Sequence, residues 1–273
     1  MQTITRRIII ALSAALVLSS ACAKRSDLIL ATTTSTQDTG LLDVLIPLFE
    51  NSNTITVKTI AVGSGQAMAL GKRGEADILL VHSPAAEKEF MDAGFGINRR
   101  LVMHNDFVIL GPADDPAGVK KAKSAAEAFA KIAAKGALFV SRGDNSGTHV
   151  KELGLWKAAN VATAGKAWYQ ETGLGMGRTL AVVAEKKGYT LSDRSTWLTM
   201  QGNLGLAVVS EGDETLRNIY HVIEVNPAKF PKVNAKAARL FSHFIVSTGV
   251  QKLIGEFGMD RFGQPLYIPD AVK

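Results

Sequence analysis

The sequence predicts a two-lobed α/β protein with a ligand cleft between the lobes, on three observations. Three strand–turn–helix units follow one another between Asp27 and Phe90. Two long extended stretches, 101–112 and 218–227, are suited to carry the chain out of a first lobe and back into it. No repeat or low-complexity linker separates the parts, so the lobes are expected to hinge about the two crossings rather than hang from a tether.

The first unit opens with an apolar strand, 27–31, followed by Thr32-Thr33-Thr34-Ser35-Thr36 and then Leu41, Leu42, Leu45 and Phe49 at helical spacing. One hydroxyl suffices to cap a helix, so five in succession exceed the need. Residues 55–62 alternate as a strand and lead through Gly63-Ser64-Gly65 into an Ala-rich helix ending at Arg73. A third strand, 77–81, runs into His82-Ser83-Pro84 and a helix through Phe90, with Pro84 suited to the first helical position. Consecutive units of this kind give a parallel sheet with right-handed crossovers. Each places small or hydroxyl residues at the carboxyl end of its strand, the edge where open α/β sheets bind ligands.

Beyond the first crossing, 120–135 reads as an Ala/Lys-rich helix with a solvated outer face, and 137–140 as a buried strand. That strand runs into Ser141-Arg142-Gly143-Asp144-Asn145-Ser146-Gly147-Thr148-His149, and a helical pattern follows over 150–156. A second Gly-rich turn, 173–177, feeds a helix to Lys187. Residues 189–197 read as a short strand and helix start, and 204–209 as another strand. After the return crossing, 235–246 and 251–257 read as helices packing on the first lobe. The expected organisation is therefore 1–23 as an export signal, 24–107 with 218–273 as lobe 1, and 108–217 as lobe 2.

The chain has 273 residues, 47% hydrophobic and 21% charged, enough for an ample core. The formal charge is +6, falling to +4 (29 basic, 25 acidic) once Arg6 and Arg7 are removed with the signal. The bases are scattered without aromatic interleaving, which argues against nucleic-acid binding. Arg6 and Arg7, the apolar run 8–18 and the small residues 19–23 have the three parts of an export signal, and the run is too short for a stable membrane span. Two processing routes remain open. Cleavage at Ala21-Cys22-Ala23 would release a soluble protein, whereas Cys22 could instead carry a lipid anchor, and the soluble product is the expectation. With Cys22 the only cysteine, no internal disulfide is possible.

The 141–149 turn carries the chemistry. The first N–H groups of a helix lack intrahelical partners and the dipole there favours negative charge. Ser146 and Thr148 add hydroxyl donors and Arg142 a planar, permanently charged fork, a cup suited to an oxyanion. An ordinary capped helix beside a surface Arg would share these residues. A tetrahedral dianion loses its hydration shell on capture, so its site must present several donors at once. Asp144 would repel such a ligand, and is expected to bind Arg142 or cap the turn. His82 and His149 are expected to be satisfied structural histidines. Five scattered His and one Cys give no metal-binding pattern, and no cofactor is expected.

The Thr-Thr-Thr-Ser run at 32–35, His82-Ser83-Pro84, Asn105-Asp106-Phe107-Val108, the 141–149 turn and Gly175-Met176-Gly177, occurring in this order, resemble the tungstate-binding proteins of bacterial ABC importers over roughly 27–273. The resemblance implies a type II periplasmic-binding fold that captures the anion between its lobes and delivers it to a permease in the inner membrane, as a periplasmic monomer. It further implies contacts from Thr33, Thr34, Ser35, Ser64 and Ser83 in the first lobe, and from Arg142, Ser146 and Thr148 in the second. Tungstate is the ligand it implies, with molybdate second. Sulfate and phosphate are rivals of the same class, phosphate because its residual proton would suit an acceptor such as Asp144. From another class, a serine hydrolase at Ser146 is disfavoured. Gly143-Asp144-Asn145-Ser146-Gly147 does not match Gly-x-Ser-x-Gly, and His149 lies too close in sequence to serve as its base.

Overall fold

The computed structural model describes residues 26–200, 202 and 204–271. The expected export signal and Cys22 lie outside them. Strands β1 (Ser26–Thr33), β2 (Ile55–Val62) and β3 (Ile78–Val81) form a parallel sheet in the order β2-β1-β3. Helices α1 (Thr34–Asp38), α2 (Leu41–Ser52), α3 (Ser64–Arg73) and α4 (Pro84–Asp92) intervene. Alternation along β1 sends Leu28 and Leu30 to a core with Leu45 and Phe49 of α2, while Ala31 joins Ala67, Met68 and Phe90 of α3 and α4 on the opposite face. Both faces are covered, as a parallel sheet requires.

The sheet is mixed rather than wholly parallel. The two extended crossings are strands β4 (Gly96–Pro112) and β9 (Arg217–Val225), paired antiparallel with each other, and β9 also pairs antiparallel with β3. β4 is shared between two cores. Val108 and Leu110 join the first, whereas Phe107 and Ile109 face Phe129, Phe139, Trp156 and Tyr189 of the second. Strands β5 (Phe139–Ser141) and β6 (Tyr169–Glu171) pair in parallel, and β7 (Thr190–Asp193) and β8 (Leu206–Ser210) pair with β4.

The expected helix 120–135 is interrupted. A 3₁₀ turn, Val119–Lys121, ends before Ser124, whose Oγ caps α5 (Ala125–Lys135) by accepting from Glu127 N–H at 3.2 Å. Its inner face, Ala125, Ala128, Phe129 and Ile132, is fully buried. Helices α6 (Gly147–Ala158), α7 (Met176–Lys186) and α8 (Arg194–Met200) complete the middle of the chain. Helices α9 (Ala235–Ile245) and α10 (Thr248–Glu256) return to the first core through Phe241, Ile245 and Ile254. The short α11 (Met259–Phe262) and β10 (Ile268–Pro269) carry no sequence periodicity long enough to reveal them. β10 adds to the outer edge of β4.

Candidate functional site

Four strand-to-helix junctions converge between the halves of the molecule. Three come from the first half. At β1–α1, Thr33 caps the helix, its Oγ1 accepting from Thr36 N–H at 3.3 Å and lying 3.1 Å from Ser35 Oγ. At β2–α3, Gly63 is the cap and Ser64 the first helical residue. At β3–α4, Ser83 precedes Pro84. The Ser83 N–H donates to Glu87 Oε1 at 2.7 Å, and the other Glu87 oxygen receives both Arg99 Nε (3.0 Å) and Nη2 (2.8 Å), so this turn is anchored from beneath. The fourth junction, β5–α6, carries the Arg142 turn, where Ser146 Oγ accepts from His149 N–H at 3.2 Å.

Gly147 brings the halves together. A Cβ built there would lie 3.1 Å from each of Ser64 Oγ, Ser83 Oγ and His82 Cε1, so only glycine admits this approach without displacement. Nearby, Gly65 faces the Asn145 carbonyl, 3.4 Å from its own would-be Cβ. Thr34, partly exposed, faces Gly175 of the second Gly-rich turn across a cavity of about 750 Å³ that Asp38 and Arg178 also line. A second cavity, about 550 Å³, is lined by His82, Ser83, Asn145 and Gly147.

Ser64 Oγ, Ser83 Oγ and Thr148 Oγ1 are shielded from solvent and have no hydrogen-bond partner among the described residues. Leaving a buried polar group unsatisfied costs about 1–3 kcal/mol, so two meeting at Gly147 with a third on the next residue mark a place built for an acceptor-rich ligand. Gly147 and Thr148 contribute first-turn N–H groups with no intrahelical acceptor. Arg142, 4% exposed, donates from Nε (3.1 Å) and Nη2 (2.5 Å) to one oxygen of Asp144, which leaves three of its five donors for other acceptors. The second Asp144 oxygen accepts from Ser146 N–H at 3.1 Å. The carboxylate therefore both holds Arg142 and ties the turn, as expected from the sequence.

His82 is set by a buried chain of hydrogen bonds whose direction is forced from its far end. The Leu266 carbonyl can only accept, so Ser195 Oγ donates to it (2.7 Å) and accepts from Asn105 Nδ2 (2.5 Å). Asn105 Oδ1 then accepts from Asn218 Nδ2 (2.7 Å), leaving Asn218 Oδ1 to accept from His82 Nδ1–H (2.8 Å). His82 Nε2 is consequently an acceptor, 3.2 Å from Thr33 Oγ1 and 3.5 Å from Ser35 Oγ. Burial pushes the His82 pKa down to about 4, with the Asn218 bond and Glu87 opposing and the Arg142 charge adding to the fall. The ring is neutral at physiological pH.

The eight residues singled out in the sequence lie on the four strand-to-helix junctions, in different states. Ser64, Ser83 and Thr148 hold unpaired hydroxyls, Thr33 and Ser146 serve as helix caps, Ser35 adjoins His82, Thr34 lines the larger cavity, and Arg142 supplies the charge. Sequence reasoning missed the Asn105–Asn218 link, because both are polar residues in extended runs that carry other polar residues and nothing local pairs them. Ser146 and His149 do not form a nucleophile–base pair. His149 Nδ1 accepts from Asn145 N–H at 3.1 Å, and Ser146 Oγ is engaged by a backbone N–H rather than an imidazole.

The chain matches the family model described as PBP superfamily domain over residues 19–248. It is 47% identical over 251 residues to the tungstate-binding protein TupA of Peptoclostridium acidaminophilum, covering 91% of this chain and 87% of that protein. Among solved structures, it resembles the tungstate-binding protein TupA from Desulfovibrio alaskensis G20 with a TM-score of 0.76 and 50% identity, over 90% of this chain and 99% of that one. The tungstate ABC transporter structure from Geobacter sulfurreducens gives a TM-score of 0.77 and 47% identity, over 85% and 98%. The chain belongs to the periplasmic-binding-protein superfamily and, within it, to the family of the tungstate-binding proteins of ABC transporters.

Proposed function

We propose that this protein is the extracytoplasmic solute-binding component of an ABC importer, capturing tungstate between its lobes and presenting it to a membrane permease. The observation that carries the reading is a set of unpartnered buried hydroxyls at helix starts: Ser64 and Ser83, which meet at Gly147, and Thr148 on the next residue of α6, in the turn that also carries the buried Arg142. Neutral donors with a single cation satisfy a desolvated dianion without crowding charge into the cleft. In this reading Ser64, Ser83, Thr148 and Arg142 donate to the anion directly. Thr34 and Ser35 offer first-turn groups of α1, and Thr33 and Ser146 present their helix starts as caps. The lobes are 24–107 with 218–273 and 108–217, hinged at β4 and β9. Binding and delivery, rather than catalysis, is the role proposed, on the names of the relatives and the absence of a nucleophile–base pair at Ser146.

Molybdate, of like charge and shape, is the second ligand proposed. Phosphate, whose residual proton needs an acceptor, finds Asp144 Oδ2 engaged twice by Arg142 and Oδ1 accepting once from Ser146 N–H, so only one lone pair of the carboxylate is left for it. The test is thermal unfolding with each anion in turn. Tungstate at about 100 times its dissociation constant adds about 2.7 kcal/mol to stability and raises the melting temperature accordingly. A shift with sulfate or phosphate and none with tungstate overturns the assignment.

A further inference from the structure

Beneath the Arg142 turn lies a carboxyl group that neither the anion nor the hinge requires. Glu152, 2% exposed, sits one helical turn after Thr148 on α6. Its Oε2 accepts from Ser141 Oγ at 2.6 Å, and its Oε1 from Trp156 Nε1 at 3.0 Å and Tyr169 Oη at 2.8 Å. Ser141 Oγ in turn accepts from Gly143 N–H at 3.2 Å. One side chain thereby pins the residues on both sides of Arg142. The groups facing it are Ser141 from β5, Trp156 from its own helix and Tyr169 from β6, with the Glu171 charge of β6 adding to the field. Among the described residues no cation forms an ion pair with Glu152. Arg142 spends its close contact on Asp144.

We propose that Glu152 is a positioning residue for the anion site, acting on the Arg142 turn through Ser141, and that its ionisation weakens the grip on the anion. The inference rests on the oxyanion reading of the cleft. An ionised Glu152 is a buried negative charge without a counter-ion. A dianion held at Thr148, one helical turn before Glu152 on α6, sets two more negative charges at the same end of that helix, and each disfavours the other. Burial already pushes Glu152 up to about 7 against its three hydrogen bonds, so this coupling falls within the pH range of ordinary binding experiments. By linkage, capture of the anion takes up a proton near neutral pH, and affinity falls as the pH rises. His82, neutral above pH 6, does not contribute to that slope.

The test is isothermal titration of the full-length mature protein with micromolar sodium tungstate at steps from pH 6 to 8.5, repeated at pH 7 in two buffers of different ionisation enthalpy. Affinity is expected to fall about tenfold across the range, with net proton uptake in the two-buffer comparison. Glu152→Gln removes both the slope and the uptake. Ser141→Ala keeps the slope but lowers affinity throughout, because the carboxyl stays while its hold on the turn is lost. Tyr169→Phe removes one donor to the carboxylate and moves the midpoint to higher pH, which tests the coupling even if Glu152→Gln does not fold. A flat wild-type profile without proton uptake overturns the proposal, as does an unchanged slope in Glu152→Gln. Full affinity in Ser141→Ala refutes the positioning role. Absence of tungstate binding at every pH would instead refute the oxyanion reading itself.

Discussion

The two halves of the cleft do the same task by different means. The first half spreads its groups over three separate strand ends, presents only hydroxyls and backbone, and rests on the Glu87–Arg99 pair beneath Ser83 and on a neutral chain running from Leu266 to His82. The second half puts everything into one strand–turn–helix junction, around a charged residue held by Asp144 with Glu152 buried behind the turn. Spread neutral donors make a surface that tolerates the loss of a member. A concentrated charged turn does not, because removing its centre strands the groups arranged about it. On the proposed reading, the charged turn supplies most of the affinity and the spread hydroxyls the shape selection.

The sharpest way to break this comparison is at Arg142. Arg142→Ala is expected to weaken tungstate binding by about 2–5 kcal/mol, since it also leaves Asp144 without its partner. Arg142→Lys should lose less, because it keeps the charge but not the planar fork. Calorimetric titration separates the two, and equal losses would mean that the fork geometry is unimportant.

Stability against pH sets one buried group on each side against the other. His82 is lowered from 6.5 to about 4, so its neutral burial favours folding above 6.5, and that contribution is lost as the pH falls towards 4. Glu152 is raised from 4.5 to about 7, so its contribution is present below 4.5 and lost as the pH rises through 7. Each shift is worth about 3 kcal/mol at roughly 1.4 kcal/mol per pH unit, and the two oppose over nearly the same window. Urea unfolding of the ligand-free protein should show Glu152→Gln losing stability relative to the parent as the pH is lowered from 7 to 4.5. A difference that does not vary with pH would contradict the assignment.

The smallest effects distinguish donors from caps. Ser64→Ala and Ser83→Ala should each cost about 1 kcal/mol of binding and leave the melting temperature of the ligand-free protein unchanged or slightly raised, because their hydroxyls have no partner among the described residues. Thr33→Ala and Ser146→Ala should instead cost about 1 kcal/mol of folding stability through lost helix caps. Melting and titration of the same four variants would expose the reverse pattern.

Much of this arrangement was legible in the sequence where local rules decide it. Pro84 opening α4 is read directly from capping chemistry and falls where expected, whereas the hydroxyl run read as a turn ends β1 with Thr32 and Thr33 and opens the short α1 with Thr34, and α6 starts at Gly147, ahead of the 150–156 pattern. The break before α5 was not anticipated, because Ala and Lys favour a helix on either side of Ser124 and only its cap decides the start. The antiparallel pairing of the crossings was likewise hidden, since an extended run does not state which neighbour it joins. Gly147 reads as one more small residue in a turn; its importance lies in Ser64, Ser83 and His82 approaching from distant positions in the chain. Glu152 resembles an exposed helical acid until Trp156 and Tyr169 close over it.

The direction of the buried chain ending at Leu266 has a consequence for how this molecule can be altered. A peptide oxygen in the final stretch of the polypeptide dictates which imidazole nitrogen carries hydrogen nearly two hundred residues upstream. Trimming or re-routing that stretch would therefore rewrite the ring's tautomer and the donor pattern around Thr33 and Ser35, with every residue lining the cleft left in place.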